Sequence, residues 1–444
     1  MITTGLDSSG TSALLSFTAR NVRCYRDEVH LSFLGTRMSE EGVVRRVSVA
    51  GSDRPISVLP VAGIFGANAS GKTAVLEAME DMCIAVMKSF HRKDPTESMG
   101  RRPFLLDGES RGRPSSFETE LIVGGVRWQY GFDIDDRRVL SEYAYHFPKG
   151  RQALVFHREP DSVALGSSLR SSGRVLRSLL RSHYLLLSVA GAAEIEGLEA
   201  LYGWFQSNLL LTKPTKRGWG SALTADLVQS PHTKPSVLSL LRYADLGVVD
   251  AHKEPPDPEL VERVRQALRG AHNSREAIGT DDELVIEGAM RLTHSSPAGE
   301  WQLEPEDESQ GTQAWLSLIG PVLSALNGGT VLLVDELDAS LHPHIVRSLI
   351  RLFQDDHTNP RCAQLIFNSH DTGVLGDSDR RSIGRDQIWF TNKDLAGVTS
   401  LYPLTDFAPR RDDAVERRYL HGRYGAVPLM NPADAERALG LVDA

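Results

Sequence analysis

Apolar and polar residues along the chain form stretches that are typical of strands and of helices. Two stretches near the amino end, LLSFTARNV and EVHLSFLG, have the composition of β-strands. Residues 56–66, ISVLPVAGIFG, have the apolar character of a buried strand, and apolar residues recur at helical spacing over residues 72–90. The pattern therefore predicts a strand, a glycine-containing loop and a helix, in that order.

The rest of the chain divides into a β-rich, a helix-rich and an alternating part. Residues 117–147 place β-forming residues between short turns, which predicts an antiparallel meander outside the parallel core. Residues 165–280 are rich in leucine and alanine at a spacing near 3.6, which predicts a helical lobe. Helix-like and strand-like segments then alternate, which predicts a parallel sheet flanked by helices. These segments are WLSLIGPVLSAL, TVLLVDE, HIVRSLIRLFQ and QLIFNSH.

Composition and charge are those of a soluble globular protein. Of the 444 residues, 41% are hydrophobic and 24% are charged, and the formal net charge is −9. This balance argues against a uniformly basic nucleic-acid coat, although scattered arginines could still form a local basic face. The three cysteines lie far apart, which predicts free thiols in a reducing cytoplasm. Without a secretion signal or a run of ~18 apolar residues, we expect a cytoplasmic protein with no membrane segment.

The loop between the predicted strand and helix carries the first chemical motif. Residues 66–73 read GANASGKT, which matches the phosphate-loop pattern GxxxxGK[ST]. Its glycines let successive backbone N–H groups point at phosphate oxygens, where the helix N-terminus favours negative charge. The lysine should bridge the β- and γ-phosphates of ATP, and the threonine hydroxyl should bind Mg²⁺. The predicted nucleotide-binding residues are Gly66, Ala67, Asn68, Ala69, Ser70, Gly71, Lys72 and Thr73.

The second motif is a pair of acids at the end of a buried strand. Residues 330–338 read TVLLVDELD, so Asp335 and Glu336 should emerge at the carboxyl edge of the sheet, beside the phosphate loop. We expect Asp335 to hold Mg²⁺ and Glu336 to polarise the attacking water. Taken alone, acids in this position could equally cap a following helix.

Two further segments could contact the nucleotide. Residues 308–313, ESQGTQ, place Ser309 and Gly311 at a helix start, where they could bind an anion; from these six residues alone, an ordinary helix cap is the favoured alternative. Residues 368–371, NSHD, end a strand. His370 could touch the γ-phosphate or orient water, whereas a lone histidine after a strand is more often structural.

Taken together, the four motifs resemble ATP-binding-cassette ATPases, in the branch that includes the SMC proteins, Rad50, RecF and the OLD-like proteins. The resemblance implies that like subunits assemble through ATP-sandwich interfaces, with Ser309 and Gly311 of one subunit acting on the nucleotide of another. It also implies that Asp338 crosses the subunit seam, that His370 is the switch histidine, and that Arg23, in the opening strand NVRCY, lies near the base or ribose.

Several segments more closely resemble the bacterial AAA-15/AAA-21 group of ATPases from abortive-infection systems, which includes the RloA and AriA types. These segments are ESQGT, DELDASLHP, QLIFNSHD, RRSIGRDQIWFTNKD, LYPLTDF and YLHGRYGAVP. The resemblance implies phage defence, in which an ATPase assembly senses a phage protein or DNA and controls a separate toxic nuclease of TOPRIM type. Nothing after residue 400 offers the strand-borne acids of a fused nuclease.

We therefore expect an α/β P-loop NTPase of the ABC/SMC type with an added antiparallel β-subdomain and a helical lobe. Residues 1–160 should form an ATPase lobe with the phosphate loop and the β-subdomain, 161–280 the helical lobe, and 281–444 a second ATPase lobe. Hydrolysis of ATP with Mg²⁺ should be slow and regulatory. The main alternative is a DNA-repair ATPase similar to RecF and Rad50 that binds DNA directly. A transporter subunit is disfavoured, because SQGT stands where transporters have SGGQ.

Overall fold

The computed structural model describes residues 11–438 except 41, 93–97, 215–218, 256–258, 260–289, 305–306, 377–381 and 429–430. The described residues fall into two compact units. Those of Met1–Leu211, Ala325–Asp338 and Val346–Ala444 form the first unit, and those of Thr212–Ser324 and Ala339–Ile345 form the second. No described helix is long and apolar enough to cross a membrane.

The described strands are β1 Ala13–Arg20, β2 Val29–Ser32, β3 Arg45–Val47, β4 Ile56–Val58, β5 Val61–Gly66, β6 Ser115–Val123, β7 Val126–Ile134, β8 Val139–His146, β9 Ala153–Glu159, β10 Ser162–Leu165, β11 Leu209–Thr212, β12 Val248–Lys253, β13 Met290–Ser296, β14 Gly299–Leu303, β15 Val331–Val334, β16 Gln364–Asn368, β17 Ile388–Lys393 and β18 Thr399–Pro403.

The described α-helices are α1 Lys72–Lys88, α2 Gly108–Gly112, α3 Gly173–Leu179, α4 Leu186–Ala192, α5 Glu199–Ser207, α6 Trp219–Gln229, α7 Lys234–Tyr243, α8 Gln310–Gly328, α9 Pro343–Gln354, α10 Val415–Leu420 and α11 Pro432–Ala438. Short 3-10 helices cover Ser89–His91, Ser167–Leu169, Thr372–Val374, Arg385–Gln387 and Leu404–Phe407.

A mixed sheet with the order β11-β15-β16-β5-β17-β18 carries the acid strand and the strand before the phosphate loop. The pairs β15·β16, β16·β5 and β5·β17 are parallel, whereas β18 is antiparallel to β17. The predicted parallel sheet is therefore confirmed. Because parallel strands end at one edge, this order brings the residues after β15, β16 and β5 close together.

A separate antiparallel sheet has the order β10-β9-β8-β7-β6-β1-β2. Strands β6, β7 and β8 confirm the meander predicted over residues 117–147. Gly124 and Gly125, with φ of +58° and +74°, form the two-residue turn between β6 and β7. Positive φ at both positions suits the turn that matches the twist of paired strands, and glycine adopts it without steric cost.

The strand predicted over residues 56–66 is wrong in extent, because two strands occupy it. Ile56–Val58 pairs with β3, and Val61–Gly66 enters the central sheet. Pro60 stands between them and has no N–H to donate to a ladder; its carbonyl accepts a 2.8 Å hydrogen bond from Leu365 N–H. An unbroken apolar run hides this change of sheet.

The helical lobe predicted over residues 165–280 contains α3 to α7 but also two strands, β11 and β12. The leucines of β11 pair at the edge of the central sheet, next to β15. A short leucine run has no periodicity that separates a strand from a helix, so neighbouring strands decide its conformation. The helix predicted from PELVERVRQALRGA lies almost wholly outside the described residues.

Helix α1 packs against the central sheet through a buried stripe of apolar side chains. Val75, Leu76, Met79, Met82 and Val86 recur at helical spacing and are at most 3% exposed. They belong to one apolar cluster with residues of β5, β15 and β16. Burial of this stripe fixes the helix, and with it the loop that precedes the helix, at the edge of the sheet.

Candidate nucleotide-binding site

Residues 67–71 connect β5 directly to α1, and glycine is required at Gly66, the last residue of β5, and at Gly71, the last residue of the loop. Gly71 has a φ of +105°, and a Cβ there would lie 2.8 Å from Cys24 Sγ. A Cβ on Gly66 would lie 2.5 Å from Thr391 Oγ1. Real Cβ atoms do not approach other atoms this closely, so neighbouring chain segments restrict both positions to glycine.

The buried hydroxyl groups of Thr391 and Tyr25 form hydrogen bonds with this loop. Ser70 Oγ and Thr391 Oγ1 are 2.6 Å apart, which connects the loop to strand β17. Tyr25 Oη donates a 2.9 Å hydrogen bond to Gly71 O. Burial raises the pKa of Tyr25 well above its usual value, so its hydroxyl keeps the proton that it donates. The loop is therefore fixed before any ligand arrives.

The side chain of Lys72 turns back onto the loop. Lys72 as a whole residue is 6% exposed. Its Nζ donates to Gly66 O at 2.9 Å and to Ala67 O at 3.0 Å. Burial lowers the pKa of Lys72, and the nearby carboxylates of Asp338, Glu336 and Asp335 oppose this shift. A buried cation beside a phosphate loop is well placed to bind phosphate oxygens.

Thr73, in helix α1, and Asp335, after strand β15, are in direct contact. Thr73 Oγ1, in the first turn of α1, donates a 2.7 Å hydrogen bond to Asp335 Oδ1, which follows β15. A hydroxyl and a carboxylate beside a phosphate loop provide the oxygen ligands that Mg²⁺ prefers when nucleotide phosphates supply others. The two side chains therefore fit the predicted metal site.

Glu336 and His370 both expose their side chains to the same cleft. Glu336 has a φ of +58°, which is costly for a residue with a side chain and is typical of functional sites. The backbone N–H of His370 donates to Asp338 Oδ1 at 3.1 Å. This contact joins the segment after β16 to the loop after the acid strand.

The cleft has a volume of about 730 Å³, within the range of small-molecule sites. All of the residues that line it belong to the first unit. The lining residues are Asn68, Ala69, Ser70, Gly71, Lys72, Thr73, Ala74, Glu77, Glu336, Asn368, His370 and Lys393. The predicted phosphate loop and the predicted catalytic residues Glu336 and His370 thus line one cleft.

The structure places Arg23 against helix α1. Its Nε donates to Asp81 Oδ2 at 2.8 Å, and its other nitrogens bond to Asp81 and Glu77. Glu77 lines the cleft, whereas Arg23 is not among the lining residues. The proximity of Arg23 to a base or ribose stays a prediction.

Ser309 and Gly311 lie in the second unit, at the start of α8. Ser309 Oγ accepts a 3.1 Å hydrogen bond from Thr312 N–H, which is the geometry of a helix cap. A Cβ on Gly311 would lie 3.0 Å from Ser340 O, in the loop that follows the acid strand. The action of both residues on another subunit's nucleotide stays a prediction.

Sequence reasoning missed Asn368 and Lys393. Asn368 is fully buried, and its side chain bonds to both members of the acid pair. Its place in NSHD, at the end of a strand parallel to β15, was the available signal. Lys393 gave no such signal, because only the pairing of β17 with β5 brings it to the phosphate loop.

A family model described as "AAA domain, putative AbiEii toxin, Type IV TA system" matches residues 61–376, well over half of the chain. The chain belongs to this AAA family. Its phosphate loop, acid strand and parallel sheet are those of an α/β P-loop ATPase, and hydrolysis of a nucleotide is the general activity of such ATPases. No match was found among curated proteins.

Solved structures similar to this AAA protein include two SMC heads. The SMC head domain from Thermotoga maritima has a TM-score of 0.37 and 10% identity, and the alignment covers 88% of this chain and 98% of that chain. The Smc head domain with an extended coiled coil bound to the C-terminal domain of ScpA, from Pyrococcus furiosus, has a TM-score of 0.34 and 13% identity, with coverages of 89% and 98%. Similarity at this level says nothing about partners.

Lys393 should bind the nucleotide on the side away from the γ-phosphate. In a strand, residues two apart share a face, so Lys393 lies on the same face as Thr391, which contacts the loop at Ser70. Strand β17 flanks β5 on the side opposite β16 and β15, where the acid pair lies. We therefore expect Lys393→Ala to weaken binding of ATP and of ADP by the same factor, about 5-fold.

Equilibrium titration with fluorescent ATP and ADP analogues measures this effect. Lys88→Ala, at the far end of α1, is the matched control and should leave both affinities unchanged. Equal affinities for wild type and Lys393→Ala would show that the lysine does not contact the nucleotide.

Proposed function

We propose that this chain is the ATP-dependent sensor and scaffold subunit of a bacterial antiphage defence system and controls a separate nuclease effector. In this proposal it binds ATP with Mg²⁺, hydrolyses it slowly, and assembles with further copies of itself in the cytoplasm. The trigger is a phage protein or DNA, and the effector is a nuclease of TOPRIM type.

One observation carries the ATPase part of the proposal: Thr73, which lines the cleft together with Lys72, Glu336 and His370, donates a 2.7 Å hydrogen bond from Oγ1 to the buried Asp335 Oδ1. The phosphate loop and Lys72 would bind the phosphates, while Thr73 and Asp335 would hold Mg²⁺, which stabilises charge on the phosphate oxygens. Glu336 would orient and deprotonate water, and His370 would contact the γ-phosphate.

The family description supports the defence part of the proposal. It names a putative AbiEii toxin and a type IV toxin–antitoxin system, in which a toxic activity is kept under control. An ATPase with slow turnover suits such control, because its nucleotide state can persist until a trigger arrives. The effector would then respond to the nucleotide state rather than to the energy of each turnover.

Assembly through the nucleotide is the third part of the proposal. The cleft-lining residues belong to the first unit, whereas Ser309 and Gly311 belong to the second. We propose that a second copy presents Ser309, Gly311 and Asp338 to the bound nucleotide, so that each site contains residues of two chains. The exposed position of Ser309, at a helix start, suits contact with phosphate oxygens.

Mixing two inactive variants tests the shared site. Lys72→Ala should inactivate the loop, and Ser309→Arg should block the surface that the second copy presents. In a mixed dimer, one of the two sites keeps both intact parts. An equimolar mixture should therefore regain about one quarter of the wild-type ATPase rate, because half of the dimers are mixed. A mixture as inactive as its components would contradict action between subunits.

Retention of an effector tests the defence role. The tagged chain, co-expressed with its neighbouring genes, should retain a protein with nuclease activity, and addition of Mg²⁺ and ATP should release or activate it. Glu336→Gln keeps the size of the side chain but removes its base. This variant should therefore bind ATP and release or activate the nuclease once, but it should not hydrolyse the ATP and return to its starting state. Recovery of no nuclease, together with salt-sensitive binding of DNA by the chain alone, would instead favour a DNA-repair role.

A further inference from the structure

Asn368, the last residue of β16, makes hydrogen bonds with three consecutive residues that follow β15. Its Nδ2 donates to Asp335 Oδ1 at 2.6 Å. Its Oδ1 accepts from Glu336 N–H at 2.7 Å, and its backbone carbonyl accepts from Leu337 N–H at 3.0 Å. A single fully buried residue therefore fixes the segment that holds both acids.

The chemistry of its partners fixes the orientation of the Asn368 amide. A backbone N–H can only donate, so the carbonyl end must face Glu336. A carboxylate can only accept, so the NH₂ end must face Asp335. Reversal of the amide would place two donors together at Glu336 and two acceptors together at Asp335. Neither leucine nor aspartate at this position could satisfy both contacts.

Glu336 needs this support because its backbone is strained. Its φ of +58° lies in the left-handed region, which costs a residue with a side chain about 1–3 kcal/mol. The bonds from Glu336 N–H and Leu337 N–H to Asn368 hold this conformation. The conformation in turn directs the Glu336 side chain into the cleft, beside the phosphate loop.

Asp335 is fixed from two sides. Thr73 Oγ1 and Asn368 Nδ2 both donate to the same carboxylate oxygen, Oδ1, at 2.7 and 2.6 Å. Two converging donors define the rotation of the carboxylate, as hydrogen-bond partners of metal ligands commonly do. The orientation of Asp335 therefore depends on the same amide that supports Glu336.

We propose that Asn368 is a positioning residue that couples the Mg²⁺ ligand Asp335 to the catalytic acid Glu336. Its NH₂ group orients Asp335, and its carbonyl group keeps Glu336 in the conformation that reaches water. This inference rests on the proposed ATPase function. It assigns Asn368 no contact with the γ-phosphate or with water, and its effect on hydrolysis passes through the two acids.

A second amide in the same strand provides a comparison. Gln364 is also buried, but its side chain bonds to the backbone of Leu14 and Leu59, away from the cleft. Gln364→Leu is therefore a matched control that removes a buried amide from β16 and leaves the acid pair intact. Both leucine variants should lower the melting temperature, whereas only Asn368→Leu should change the chemistry.

For Asn368→Leu we expect kcat to fall about 10- to 100-fold and the Mg²⁺ concentration for half-maximal rate to rise by a similar factor. The affinity for ATP without Mg²⁺ should stay within about 3-fold of wild type, because the phosphate loop is unchanged. Gln364→Leu should keep the wild-type kcat per folded molecule and the wild-type Mg²⁺ dependence. Steady-state kinetics over a range of Mg²⁺ concentrations, with nucleotide titrations, gives all three quantities.

Asn368→Asp separates the two contacts and preserves the size of the side chain. It keeps an acceptor for Glu336 N–H but replaces the donor to Asp335 with an oxygen. We expect a raised Mg²⁺ requirement and a rate that recovers toward wild type at saturating Mg²⁺. For Asn368→Leu, which loses both contacts, the rate should stay low at saturating Mg²⁺.

Wild-type kcat and Mg²⁺ dependence in folded Asn368→Leu or Asn368→Asp would overturn the coupling role. Equal losses of kcat in Asn368→Leu and Gln364→Leu would also overturn the coupling role, because a general structural role of a buried amide would then explain both results. Glu336→Gln distinguishes failure of this inference from failure of the proposed ATPase function. If wild type hydrolyses ATP and Glu336→Gln does not, an unaffected Asn368 variant refutes only this inference. Absence of hydrolysis in wild type would overturn the inference and the proposed ATPase together.

Discussion

The hydrogen bond between Thr73 and Asp335 joins two segments that are 262 residues apart in the sequence. It exists because β15, β16 and β5 run parallel and end at one edge of the sheet. Without this strand order, Asp335 and Glu336 would not lie beside the phosphate loop. The arrangement of one sheet edge therefore underlies the predicted metal site, the predicted catalytic role of Glu336 and the proposed ATPase activity.

Buried polar contacts give this edge its fixed geometry. Tyr25 and Thr391 form hydrogen bonds with the loop, and Asn368 forms hydrogen bonds with the segment after β15. Each of these side chains is buried, so its hydrogen bonds compete little with water, and loss of one partner would leave the other unsatisfied. The site is therefore organised by the protein before a nucleotide enters, which is the condition for electrostatic stabilisation of a transition state.

The sequence was sufficient to predict the strand, loop and helix around residues 66–73 and the strand before Asp335, because these depend on local pattern and on a fixed motif. It could not show that Pro60 separates two strands of different sheets, or that the leucines of β11 form an edge strand. Both outcomes depend on which distant strand pairs with the segment. The same reason hid Asn368 and Lys393, whose roles arise from strand neighbours rather than from local sequence.

The central claim is that the loop and Lys72 bind the phosphates of ATP. Titration of wild type and Lys72→Ala with a fluorescent ATP analogue in the presence of Mg²⁺ tests it directly, with thermal unfolding as the check that the variant is folded. Loss of a buried, charge-assisted contact should weaken binding by about 10- to 100-fold. Unchanged affinity in folded Lys72→Ala would contradict the assignment of this cleft as the nucleotide site.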